Sequence, residues 1–217
     1  MLNAHEYLIR PITAAAAVLV LAGTAYAGPP LLCHPFDAGT AKLLPWSANP
    51  QAWNAIDRSY DVKGLTADTL ALLTPDAPIL ARMENLRRAT LYAVQDERVA
   101  AELLSAITSR MQADTGKGRD PLAWFDAGYL IESYRQASLI YKWDMLNPGE
   151  KTAWKLRDEP KGLDGYGMVA KAIRLVGSSP EMEFAASLMK EGNAGAEHRR
   201  RAVSGAQVGS LLAKNLK

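Results

Sequence analysis

The chain has 217 residues, of which 48% are hydrophobic and 22% charged; this excludes an intrinsically disordered protein and suits one domain with a sizeable core. Its net charge of +2 is too close to neutral for nucleic acid or an anionic membrane surface to be the partner. A single cysteine excludes an intrachain disulfide, so the fold must rest on its core.

Residues 1–27 read as an export signal. Arg10 closes a short n-region in which Glu6 offsets its charge, Ile12 to Gly23 is an apolar run, and Ala25-Tyr26-Ala27 supplies the small-x-small pattern of signal peptidase sites. Cleavage is expected after Ala27, leaving a mature chain from Gly28 in the periplasm or secreted. The apolar run is short for a bilayer span and no later run is long enough, so no transmembrane segment is expected after cleavage. Leu32 before Cys33 argues against a lipoprotein.

Residues 28–60 carry Pro29, Pro30, Pro35, Pro45 and Pro50 with Trp46 and Trp53, which predicts an ordered extended arm pinned to the rest by its aromatics. Cys33 and His34 lie in this arm. The thiol is open to four readings: a packed thiol without a role, an interchain disulfide, a metal or haem contact shared with His34, or a nucleophile. The first cysteine of a haem-attachment motif is absent, and a closed zinc site lacks ligands, since the mature chain offers only Cys33, His34 and His198.

From residue 61 to 217 the pattern predicts helix after helix. Thr66 is placed to cap a short helix ended by Pro75. Pro78 opens a second, with Ile79, Met83, Leu86 and Ala93 on one face, and Asp96 caps a third with a stripe of Ala100, Leu103, Leu104, Ile107 and Met111. Residues 114–119 read as a loop, and Asp120-Pro121 starts the longest helix, running to about Trp143. A short helix is expected around Trp154, another from about Asp164 to Val176, and one from Ser179-Pro180 that Gly192 stops. A last helix is expected from about Gly195 to Lys214. No run alternates like a strand.

A short pattern recurs in three of these helices. Glu84, Ala89, Thr90 and Leu91 reappear as Glu132, Ala137, Ser138 and Leu139, and again as Glu181, Ala186, Ser187 and Leu188, at intervals of 48 and 49 residues. A period of this size suits stacked helical hairpins. Glu84 and Arg87, and Glu132 and Arg135, are three apart, the spacing of intrahelical ion pairs. Phe184 stands where the third arginine would be.

These carboxylates carry two readings: partly buried structural ion pairs, or an acidic groove in which Glu84, Asp126 or Glu132 does acid–base work. Asp126 and Glu132 are six apart and so face different ways on one helix. Gly162, Gly165 and Gly167 precede a helix, as in anion-binding nests, but no strand precedes them. His198-Arg199-Arg200-Arg201 is the one dense basic run, either a solvated face or a contact to an acidic partner. No sequence pattern calls for a cofactor.

Gly28 to Trp46, Arg82 to Ala89, and Phe125 to Glu132 together resemble a family of small exported all-helical bacterial proteins over most of the mature chain. The resemblance implies export and a helical fold, and it carries over no catalytic residue. Trp124, Gly128 and Tyr129 are similar to the first helix of a tetratricopeptide unit, but the longer period leaves only a similar helical superstructure as the implication.

The expectation is an all-α domain of stacked antiparallel helices, a short solenoid or irregular bundle, behind an extended arm. Its expected role is a non-enzymatic envelope scaffold binding a protein or peptide, with Glu84, Arg87, Glu132, Arg135, Arg199 and Arg200 as candidate contacts. The alternative is a hydrolase acting on cell-wall or glycan material through its helix-borne carboxylates.

Overall fold

The computed structural model describes residues 29–47, 52–113 and 120–217. The expected export signal (1–27), the expected loop at 114–119 and residues 28 and 48–51 of the expected arm lie outside the described residues. Within them the protein is all-helical, with nine α-helices and no β-strand: α1 (Leu65–Leu72), α2 (Ile79–Ala93), α3 (Glu97–Ala113), α4 (Pro121–Lys142), α5 (Pro148–Ala153), α6 (Gly165–Val176), α7 (Pro180–Ser187), α8 (Gly192–Gly205) and α9 (Leu211–Asn215).

Most helix starts follow from short polar side chains that satisfy the first backbone N–H groups. Asp96 accepts from the amides of Arg98 and Val99, Asp120 from Leu122 and Ala123, Asp164 from Gly167, Ser179 from Met182 and Ser210 from Ala213. Three boundaries differ from the sequence reading. Thr66 lies inside α1, because a 3-10 turn at Val62–Gly64, capped by Asp61, leads straight into the helix. α7 ends at Ser187, and Gly192 opens α8 rather than closing α7. The expected last helix is two, broken at residues 206–210, where Gly209 takes a φ of +80°.

Of the three helices bearing the repeated pattern, α4 and α7 each run with a following helix, α6 and α8, whereas α2 packs against α1 and α4 more than against α3. α4 lies along α6 and α7 along α8, and α2 touches both α4 and α7. α4 and α6 meet where Gly128 and Gly165 face each other; a Cβ on Gly128 would run into the Gly165 carbonyl and stand 2.9 Å from Met168 and Val169. Glycine at this crossing is a packing requirement. The described residues thus form an irregular helical bundle.

α2 is the centre of the molecule. Every residue from Leu80 to Arg87, and from Ala89 to Ala93, is buried. The arm covers one side of it: Leu31, Leu32, Phe36 and Leu44 enter the core with Leu86, Tyr92, Tyr129 and Phe184. Trp46 packs edge-on against Tyr92, with ring centres 6.2 Å apart, beneath the guanidinium of Arg87 at 4.9 Å.

Candidate functional site: the polar ties and the open clefts

A helix as deeply buried as α2 should be apolar all round, yet within seven residues it carries five buried or half-buried polar ones, Arg82, Glu84, Asn85, Arg87 and Arg88, each of which needs partners. Glu84, 0% exposed, accepts four hydrogen bonds. Arg87 donates from Nε at 2.7 Å and Nη2 at 2.9 Å, Arg88 from Nε at 2.7 Å, and the Phe36 amide at 3.0 Å. The remaining guanidinium donors reach arm carbonyls: Arg87 those of Leu32 and Trp53, and Arg88 that of Leu44.

Asn85 reads the same arm as one chain reads another. Its Oδ1 accepts from the Leu44 amide at 2.8 Å and its Nδ2 donates to the Lys42 carbonyl at 3.2 Å. The Tyr92 hydroxyl donates to the Pro45 carbonyl and accepts from the Asp57 amide. From α4, Gln136 accepts from the Leu31 amide and donates to the Leu188 carbonyl. The expected Glu84–Arg87 pair therefore exists, and its wider role is to bind the backbone of the arm.

Glu132 repeats the arrangement one unit on. It pairs with Arg135 and accepts from the Tyr166 amide at 2.9 Å, while Arg135 donates to the Leu163 carbonyl at 2.8 Å and lies 3.4 Å from Glu159. Two amides in the first turn of α6, those of Tyr166 and Gly167, are thus met by the protein's own carboxylates, Glu132 and Asp164. The third copy departs from the pattern. Glu181 is half-buried, and the buried acid of α7 is Glu183, two residues later.

Asp126 faces away from Glu132 and pairs with Arg82, which also donates to the carbonyls of Ala77 and Thr74. Burial pushes the Asp126 carboxyl up to about 6, against the pull of Arg82. The second oxygen of Asp126 is buried without a hydrogen-bond partner among the described residues. The three candidate acids sit in three separate ties, and each is spent on a guanidinium or a backbone amide.

The basic run is also largely committed. Arg199 donates to the Leu216 carbonyl and lies over the Phe184 ring; Arg200 pairs with Glu197; Arg201 pairs with Glu197 and Glu183. His198 belongs to a chain the sequence did not reveal, in which Nδ1 bonds Glu183 and Nε2 bonds the Tyr166 hydroxyl at 2.9 Å. Its members sit on α7, α8 and α6, 15 and 32 residues apart, so no local spacing signals it.

Cys33 and His34 stand on the arm, and the described residues hold no group of three or more His, Cys, Asp or Glu side chains placed to bind a metal. Burial pushes the Cys33 thiol up to about 11, against the opposing pull of Arg87, so it is neutral at ordinary pH. Burial, and then the nearby Arg87, lower His34.

What remains open are clefts. One of about 470 Å³ runs between α4 and α7 under Pro29 and Pro30, and is lined by Glu132, Arg135, Gln136, Leu139, Trp143 and Lys190 among others. Trp143, at its edge, is 61% exposed. A second, of about 480 Å³, lies between residues 54–62, the end of α2, and α5. No helix among the described residues is long and apolar enough to cross a membrane. No known protein family, curated protein or solved structure matches the chain.

Proposed function

We propose that the protein is a non-enzymatic, exported helical scaffold that binds a protein or peptide partner in the cell envelope through the α4–α7 cleft. One observation carries this reading: Trp143, a large aromatic side chain, is 61% exposed at the edge of a cleft that also holds Glu132, Arg135 and Gln136. Exposed tryptophans beside such clefts are the residues that dominate the energy of protein interfaces. Helical repeats offer peptides this kind of groove between the first helices of successive units. Against the hydrolase reading stand the carboxylates themselves. Glu84 has four donors on it and Glu132 at least two, which leaves neither poised to exchange protons with a substrate.

Capture from native envelope extract tests the proposal, with the full-length chain and its Trp143→Ala variant as parallel baits. A partner held by the wild type should be reduced at least about tenfold on the variant, in the range set by truncating an interface hot spot. Equal recovery on both baits would remove the cleft from the interaction. Running both baits with and without reductant reads any disulfide through Cys33 in the same experiment.

A further inference from the structure

A third cleft, of about 540 Å³, lies where the arm, α2, α7 and α9 meet. It adjoins the α4–α7 cleft across Pro30 and Leu188, which line both. Three cations line it: Arg88 on α2, Lys214 on α9, and Lys217 two residues beyond that helix. Two acids line it as well, Asp37 and Glu84. The sign the cleft presents to a ligand depends on what these groups already bond.

The acids are outnumbered. Glu84 accepts four hydrogen bonds, from Arg87, Arg88 and the Phe36 amide, and its one negative charge is shared by two guanidiniums. Asp37 accepts from the Gly39 amide through Oδ1, and its Oδ2 stands 3.8 Å from Lys214 Nζ, too far for a hydrogen bond. Burial and Arg87 keep His34, which also lines the cleft, neutral at ordinary pH. The side-chain charge left over is positive. Donors are left over too. The Arg88 guanidinium is held by Nε on Glu84 at 2.7 Å, by Nη1 on the Leu44 carbonyl at 2.6 Å, and by the Trp46 ring at 5.2 Å. Its Nη2 has no hydrogen-bond partner among the described residues, and 15% of the side chain stays open to solvent. Lys214 and Lys217 are exposed, and Asn215 between them is tied to the Asp37 backbone.

We propose that this cleft binds a small, multiply charged anion bearing phosphate or carboxylate groups, with Arg88 Nη2 as its fixed donor and Lys214 and Lys217 as its counter-charges. A guanidinium already ordered by other bonds loses little entropy when a ligand takes its last amino group. The volume falls in the range of small-molecule sites. The site does not depend on the α4–α7 cleft or on its partner.

The test is isothermal titration calorimetry of the full-length chain with pyrophosphate, which supplies phosphate groups, and with citrate, which supplies carboxylates, at one fixed ionic strength. Saturable binding of either is expected, and the tighter of the two identifies the anionic group the cleft prefers. In ¹⁵N spectra, binding should move the Arg88 Nε–H resonance, which is assigned by its loss in Arg88→Lys. The double variant Lys214→Gln/Lys217→Gln, at exposed positions, should bind about tenfold more weakly, since two charges beside the ligand are gone. Its melting temperature should stay in place. Lys142→Gln, which removes an exposed lysine beside Trp143 and outside this cleft, should leave the affinity unchanged. The proposal is overturned by the lack of saturable binding of both anions, by an unmoved Arg88 resonance at saturation, by full affinity in the double variant, or by an equal loss in Lys142→Gln.

Discussion

Glu84 illustrates what a charge inside a helix bundle costs and what it does. Its four hydrogen bonds compensate its own desolvation and that of Arg87, which is 0% exposed. Removing the charge while keeping the shape leaves two guanidiniums without their anion. Glu84→Gln is therefore expected to destabilise the protein by about 3–5 kcal/mol, read by urea denaturation; a loss below about 1 kcal/mol would mean the ties are replaceable. Asp126 behaves in the opposite sense. Burial raises its carboxyl from an ordinary 3.8 to about 6, so the folded state holds the proton more tightly than the unfolded chain. That stabilisation is complete below the unfolded value of 3.8 and is lost as pH rises through about 6. Two pH units correspond to roughly 3 kcal/mol. The stability of the wild type minus that of Asp126→Asn should fall by about that amount between about pH 4 and pH 7. A flat difference would mean that the pull of Arg82 cancels the effect of burial and the carboxyl keeps its ordinary value.

At the scale of helices, the tightest joint is the α4–α6 crossing. Alanine is a better helix former than glycine by about 1 kcal/mol, so Gly128→Ala would stabilise an exposed helix. Here the new methyl meets the Gly165 backbone, which cannot rotate away as a flexible side chain would. The clash should win, with a net loss of about 2 kcal/mol or more and a lowered melting temperature by calorimetry. An unchanged or raised melting temperature would show that α6 can slide. This joint also shows what local sequence can and cannot convey. Asp120-Pro121 and Ser179-Pro180 announce their helices because a cap acts within three residues. The Glu84–Arg87 and Glu132–Arg135 pairs were legible for the same reason, being three apart on one helix. The Phe36 amide on Glu84 and the Tyr166 amide on Glu132 are 48 and 34 residues away, and no periodicity reports them. The Gly128–Gly165 contact, the Glu183–His198–Tyr166 chain and the lining of both clefts are tertiary in the same way. The break between α8 and α9 was missed although Gly209, at a φ of +80°, and the capping Ser210 mark it locally.

For the molecule as a whole, the arm is a structural component with the status of a helix. Leu31, Leu32 and Leu44 are at most 1% exposed, and the polar face of α2 is satisfied only when the arm lies on it. Deleting residues 29–47 would expose the apolar side of α2 and strand Asn85, Arg87 and Arg88, losses that together exceed the stability of an ordinary domain. The deleted chain is expected to give no cooperative thermal transition by circular dichroism; a sharp transition near that of the wild type would reduce the arm to an accessory.

The first part of the arm is clasped by α9. Asn215 accepts from the Asp37 amide at 2.8 Å and donates to the Asp37 carbonyl at 2.9 Å, joining positions 178 residues apart. Contacts of such long sequence separation close late, because the entropy of the intervening loop must be overcome first. During synthesis the clasp therefore waits until α9 has been made. Until then the unfinished fold is open to capture by proteases or by other unfinished chains.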